Sequence, residues 1–153
     1  MANQEDLFEE YKFSKFHVKM TAVYLEEVQV TKKRDISPEH YTNNIHFATK
    51  VETLNSNKTK GYLKTTVQGV HNETGSEDLE IVIVYSGEFE SKTIQDEELK
   101  ELTEHQIVPQ LLSFNRSMIA QLTSEMHIQR ILLPTIDVVK SLHNNADKNG
   151  EDV

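Results

Sequence analysis

The chain is 153 residues long and carries 25 Asp and Glu against 16 Lys and Arg, a formal net charge of −9. That sign argues against binding a phosphate backbone, which needs clustered cations, and Lys32-Lys33-Arg34 is the only basic run. Cysteine is absent, which excludes disulfides, thiolate metal sites and cysteine nucleophiles and fits a reducing, cytoplasmic setting.

In chain order, Met1 to Asp6 is acidic and has no apolar h-region, so it does not read as a secretory signal. Residues 1–10 read as a disordered N-terminus. Tyr11 to Val30 reads as one long strand, with Phe16, Val18, Met20, Ala22 and Tyr24 on one parity. The parity slips at Leu25, which predicts a bulge near Val23-Tyr24. Lys32 to Asn44 holds charges, Pro38 and paired Asn, and reads as a crossover loop.

A three-stranded meander follows. Ile45, Phe47, Thr49 and Val51 alternate, then Leu63, Thr65 and Val67, then Leu79, Ile81, Ile83, Tyr85 and Phe89. Asn55-Ser56-Asn57-Lys58 and Glu73-Thr74-Gly75-Ser76 are the turns. The second face of the last strand, Glu80, Val82, Val84, Ser86 and Glu88, is apolar at its centre, so both faces should be covered at least in part. Its longest apolar run, Ile81 to Tyr85, is far short of a membrane span.

Thr93-Ile94-Gln95-Asp96 has the form of a capping box, opening a short acidic helix that ends near Glu104. Pro109 suits the first turn of a second, longer helix. There Leu111, Leu112, Asn115, Met118, Ile119, Leu122 and Met126 recur at helical spacing. Ile131-Leu132-Leu133-Pro134 cannot continue that helix past the proline. A short helix over 136–143 and a polar flexible tail over 144–153 complete the reading, with 11–143 as the single domain.

No reactive constellation emerges. The seven histidines form no His-x-x-x-His pair and no zinc-like spacing. Asp96, Glu97 and Glu98 are consecutive on a helix, do not face one another, and suit its positive end. Ser86-Gly87 lacks the Gly-x-Ser-x-Gly context of a nucleophile elbow, and the five glycines form no phosphate loop. The chain therefore reads as a non-enzyme without catalytic residues, metal or cofactor, and with neither nucleic acid nor membrane insertion. The apolar residues beside the loops are more telling, since loops normally run polar. Tyr24, Leu25, Val28 and Val30 lead into the crossover loop, and Met126, Ile128, Ile131 and Leu132 make the loop after the long helix.

Phe114, Arg116, Ile119, Leu122 and Thr123, followed by Leu133-Pro134-Thr135-Ile136-Asp137-Val138, resemble the last third of SecB-type chaperones. Gly87-Glu88-Phe89 stands where that family has Gly-x-Phe, and the likeness runs over about residues 11–143. The resemblance implies an α+β fold, a four-stranded antiparallel sheet with helices packed on one face. Leu111, Met118, Ile119 and Leu122 would meet Ile81, Ile83 and Phe89. It implies an ATP-independent holdase for unfolded polypeptides, a tetramer or else a dimer. Its clients would lie along a groove walled by the two loops, at the eight apolar residues just named. The role would be protein transport for export, or protection of one client such as an antitoxin. The competing class is a non-catalytic adaptor on the same fold. The family's carboxylates for the SecA motor align with Met20 and Val82, which implies weak SecA binding or none unless Glu80 and Glu88 substitute for them.

Overall fold

The computed structural model describes residues 4–129 together with Ile131 and Leu133. Leu132, the helix expected over 136–143 and the tail over 144–153 lie outside the described residues.

The first element corrects the sequence reading. Residues 4–17 form helix α1 (Gln4–His17), and strand β1 starts only at Lys19 (Lys19–Lys32). Residues 4–10 of the expected disordered start, and the first eight residues of the expected strand, are thus helical or lead out of the helix. Leu7 and Tyr11 are half-buried, Ser14 is buried, and Val18 just beyond is 1% exposed, a spacing of four, three and four. The polar member, Ser14, hid that stripe. The alternation that suggested a strand misleads because Phe16 is 81% exposed. Glu5 and Asp6 in the first turn, and Lys15 and His17 in the last, complement the helix dipole. The Ser14 hydroxyl donates to the Leu102 carbonyl at 2.6 Å, and the buried Gln106 amide donates to Ser14 Oγ and to the Val18 carbonyl, both at 3.0 Å.

Strands β2 (Tyr41–Asn55), β3 (Lys58–His71) and β4 (Glu77–Glu90) form the meander, and β1 pairs antiparallel with β4. The order is β1-β4-β3-β2, so β1 and β2 are the two edges and the crossover between them spans the sheet. Strand β3 is half-buried: Leu63, Thr65 and Val67 are buried, while Lys64 and Thr66 face the far side. On β4 the far face is covered too, with Val82 and Val84 each 6% exposed. Their cover comes from neighbouring strands, Gln29 and Glu27 on one side and Thr66 and Lys64 on the other. The bulges in β1 fall between Met20 and Ala22 and between Leu25 and Glu27, either side of the position expected.

A single helix, α2 (Asp96–Glu125), replaces the two helices expected from the sequence. The capping box is not formed either. Gln95 is the N-cap and makes no side-chain cap bond, while Ser91 Oγ accepts from the Thr93 and Ile94 amides at 3.3 and 3.0 Å. Pro109 sits inside the helix on its exposed side, between buried Val108 and Leu111. Packing of those neighbours outweighs the cost of the missing hydrogen bond, roughly 3 kcal/mol in a helix interior. Pro109→Ala should therefore stabilise the fold, by about 1–2 kcal/mol once the stiffer unfolded chain is counted against it. Thermal unfolding checks this as a rise of roughly 2–8 °C.

Helix α2 lies on one face of the sheet. Ile107, Leu111 and Ile119 share a core with Leu63, Val67, Ile81 and Ile83. Phe89, expected there as well, instead belongs to a second cluster with Val18, Leu99 and Leu102, because α2 begins early enough to bring Leu99 and Leu102 over it. Gly61 and Gly87 pair directly across β3 and β4 beneath that ring. A Cβ on either would come within 3.1 Å of Phe89 Cε2. Asn115 is buried within the apolar stripe and donates to the Leu63 carbonyl at 3.2 Å and to Thr65 Oγ1 at 2.8 Å, which ties the helix to β3.

Candidate functional site

The described residues carry no metal-binding group of three His, Asp or Glu, and no helix long and apolar enough to cross a membrane. At opposite edges of the sheet they carry a cleft of mixed polar and apolar lining and an exposed apolar surface.

The first is a cleft of ≈ 320 Å³ at the β2 edge. Ile36 and Pro38 of the crossover loop form one wall, and Ile128, Gln129 and Ile131 after α2 form another. Tyr41, Asn43 and Ile45 of β2 make the floor. The chain turns there because His127 adopts φ 53°, and the Ile128 amide donates back to the Thr123 carbonyl at 3.2 Å. Ile131 is 5% exposed and Ile128 half-buried, and both pack on the main core. Because β2 is an edge, part of its backbone beside the cleft points away from the sheet.

The crossover loop is fastened over the β3–β4 turn. The Tyr41 hydroxyl donates to Asp78 Oδ2 at 2.7 Å, and Ser76 Oγ donates to Asp78 Oδ1 at 2.8 Å. The Asn72 amide reaches the His40 carbonyl, and the Lys33 amide the Asp78 carbonyl, both at 2.8 Å. The bonds from Tyr41 and then Ser76 hold the Asp78 carboxyl below its ordinary pKa, and Asp78 raises that of Tyr41.

The second surface lies along β1. Leu25, Val28 and Val30 pair with Tyr85, Ile83 and Ile81, so they face the same side as α2, yet they are 45, 42 and 37% exposed. Phe114 of α2, 38% exposed, meets Tyr85 at 5.6 Å between ring centroids. Of the eight residues expected to share one groove, the seven described ones are thus divided. Leu25, Val28 and Val30 stand at one edge, Ile128 and Ile131 near the other, about three strand spacings or ~14 Å away. Met126 is half-buried and packs on the main core. Tyr24 shares neither surface, since it faces the far side, with Lys60 Nζ 5.4 Å from its ring.

The far face was the expected docking side for a partner. Val82 and half-buried Glu80 lie there, and Glu88 is engaged by Lys58 at 3.2 Å. Met20 does not: it pairs with Phe89, and its Sδ would stand 2.8 Å from a Cβ on Gly87, on the helix side. The bulge at Glu26 turns that carboxylate to the far face, where Lys60 stands 2.8 Å away and Ser86 Oγ donates at 2.6 Å. Lys60 and then Ser86 hold Glu26 below the usual carboxylate range, and Glu26 raises Lys60. Lys50 and Tyr62 likewise lower Glu52.

A carboxyl depressed on folding contributes stability that is present above its unfolded pKa, roughly 4, and is lost as pH falls through its lower folded value. Glu26, Glu52 and Asp78 all act in that sense. Urea midpoints should therefore hold steady at neutral pH and fall below about pH 4. Glu26→Gln should flatten that acid limb, and an unchanged limb would show the Glu26 ion pair to be inert.

The sequence reading missed Ile36, Pro38, Tyr41 and Ile45 as cleft residues. Ile36 was the available signal, a lone branched aliphatic in an otherwise polar loop.

No family model matches the chain, and no curated protein matches it. Among solved structures it is similar to a SecB-like chaperone of Mycobacterium tuberculosis, determined in complex with a ChAD peptide from the HigA1 antitoxin. The TM-score is 0.71 at 12% identity, covering 84% of this chain and 96% of that one. A protein of unknown function from Streptococcus agalactiae aligns with a TM-score of 0.42 at 11% identity, over 77% of this chain and 97% of that one, and adds nothing to the assignment. The fold is SecB-like: an α+β arrangement with a four-stranded antiparallel sheet and a helix laid across one face.

Proposed function

We propose that this chain is an ATP-independent chaperone that holds extended segments of non-native polypeptides in the cytoplasm. The observation that carries the reading is the cleft between the crossover loop and the loop after α2, set against the outer edge of β2, which no described strand pairs. An extended segment would add backbone hydrogen bonds to that edge regardless of its sequence, and place alternate apolar side chains on Ile36, Ile45 and Ile128. Each buried aliphatic group contributes roughly 1.5–3 kcal/mol before ordering costs, so several weak contacts suffice without nucleotide. The antitoxin peptide in the M. tuberculosis complex supports a polypeptide client and favours a dedicated one over general export. The exposed apolar residues on the β1 edge suit a second copy, so the working form is a homo-oligomer, a tetramer or else a dimer. Docking of the SecA motor on the far face would be weak, because Val82 offers no carboxylate there, Met20 faces the helix side and Glu88 is already paired with Lys58, which leaves Glu80 to substitute alone.

The test is suppression of aggregation of an unrelated unfolded protein at several-fold molar excess. Suppression is expected. No effect there, with tight binding of a single antitoxin-like peptide, would restrict the protein to one client. Failure of both would leave the adaptor reading.

A further inference from the structure

We infer that α1 is an interface between two copies of this chain, which meet there antiparallel. Of the six phenylalanines, three stand exposed on this one 14-residue helix: Phe8 at 57%, Phe13 at 49% and Phe16 at 81%. The inner side, Leu7, Tyr11 and Ser14, packs toward α2, and at 100° per residue Phe16 lies opposite it, with Phe8 and Phe13 on its flanks. The rings of the three phenylalanines meet His17 and Lys12 of their own helix, and together form an apolar patch turned away from the core.

The charges around the patch select the occupant. The outer side of the N-terminal half carries Glu5 and Glu9, and that of the C-terminal half carries Lys12, with Lys15 on the flank that holds Phe8. An antiparallel second copy sets the acidic half of each helix beside the basic half of the other, twice, about a two-fold axis. Pairing centred between Glu10 and Tyr11 brings Glu9 level with the second copy's Lys12, with the phenylalanines along the seam. A parallel pair would instead oppose like charges. Within one copy Glu9 already holds Lys12 at 3.0 Å, and Lys12 lies 4.4 Å from the Phe8 ring centre, so the groups need little movement to engage across the seam. A helix of 14 residues is about 21 Å long, too small to fill a standard interface alone. Its contact therefore adds to another interface between copies and multiplies its strength through effective concentration.

The experiment is the solution mass of the full chain across a concentration series. Phe13→Glu with Phe16→Glu should weaken one association step at least about tenfold. Phe16 is exposed enough that the fold should survive, which circular dichroism checks. Glu5→Lys with Glu9→Lys should weaken the same step, and so should Lys12→Glu with Lys15→Glu. An equimolar mixture of those two charge variants should recover it, since each then supplies what the other lacks. A mass unaltered by the phenylalanine changes would overturn the proposal, and so would a mixture no heavier than either variant alone. Unchanged mass with lost polypeptide binding would make α1 a client surface and likewise overturn it.

Discussion

Phe89→Ala lowers the unfolding free energy by about 3–5 kcal/mol, the largest expected effect of a single change in this fold. The ring is fully buried and fills the space above a cross-strand pair, Gly61 and Gly87, which present no side chain of their own. It also joins the first turns of α2, through Leu99 and Leu102, to Val18 at the root of β1. Removing it leaves a void floored on one side by the backbone of the two glycines, which cannot collapse as side chains can. The two glycines should then be coupled to it. With Phe89 present, Gly61→Ala and Gly87→Ala each cost about 1–3 kcal/mol by overpacking, since a Cβ at Gly61 would stand 2.7 Å from Ile107 Cγ1 and one at Gly87 2.8 Å from Met20 Sδ. In the Phe89→Ala background part of that crowding is relieved. Denaturant unfolding of the double-mutant cycle should return a coupling of about 0.5–3 kcal/mol. Strict additivity would show that ring and glycines do not share one packing unit.

The sheet was legible in the sequence because its signal is local. Period-two alternation in Leu63, Thr65, Val67 and in Leu79, Ile81, Ile83 marks strands wherever one face is buried, and the turns carry their own residues. What alternation could not distinguish was an exposed aromatic from a buried one. Phe16 and Val18 both count as apolar, yet one is 81% and the other 1% exposed, and that difference separates helix α1 from an extension of β1. Pro109 misled for a related reason: local preference ends a helix there, while Ile107, Val108 and Leu111 hold it together through contacts with the sheet. The candidate site was legible as a set of unusual loop residues but not as a place. Strand order decides that Leu25, Val28 and Val30 lie at one edge and Ile128 and Ile131 near the other, and pairing between distant strands leaves no mark on either one alone.

Ile36→Asp and Ile128→Asp should each weaken binding of an extended apolar client peptide by roughly tenfold or more, without unfolding the protein. Both side chains line the cleft and are half-buried at the margin of the main core, so circular dichroism and thermal unfolding accompany the binding measurement to separate lost contact from lost fold. Bound, each would lie against client side chains with water excluded. Losing a partly buried aliphatic contact costs about 1 kcal/mol, and a carboxylate brought beneath an apolar segment adds its desolvation. Together these give about 1.5–3 kcal/mol, or a ten- to hundredfold rise in Kd. The double variant should bind with little measurable affinity at micromolar peptide. Leu25→Ser with Val28→Ser is the control, because it removes apolar surface, more exposed than that of the cleft, from the opposite edge. That control should leave peptide affinity within about twofold while shifting the solution mass, if the β1 edge serves a second copy. The reverse outcome, binding lost at Leu25 and Val28 and kept at Ile36 and Ile128, would move the client to the β1 edge and leave the cleft as ordinary core.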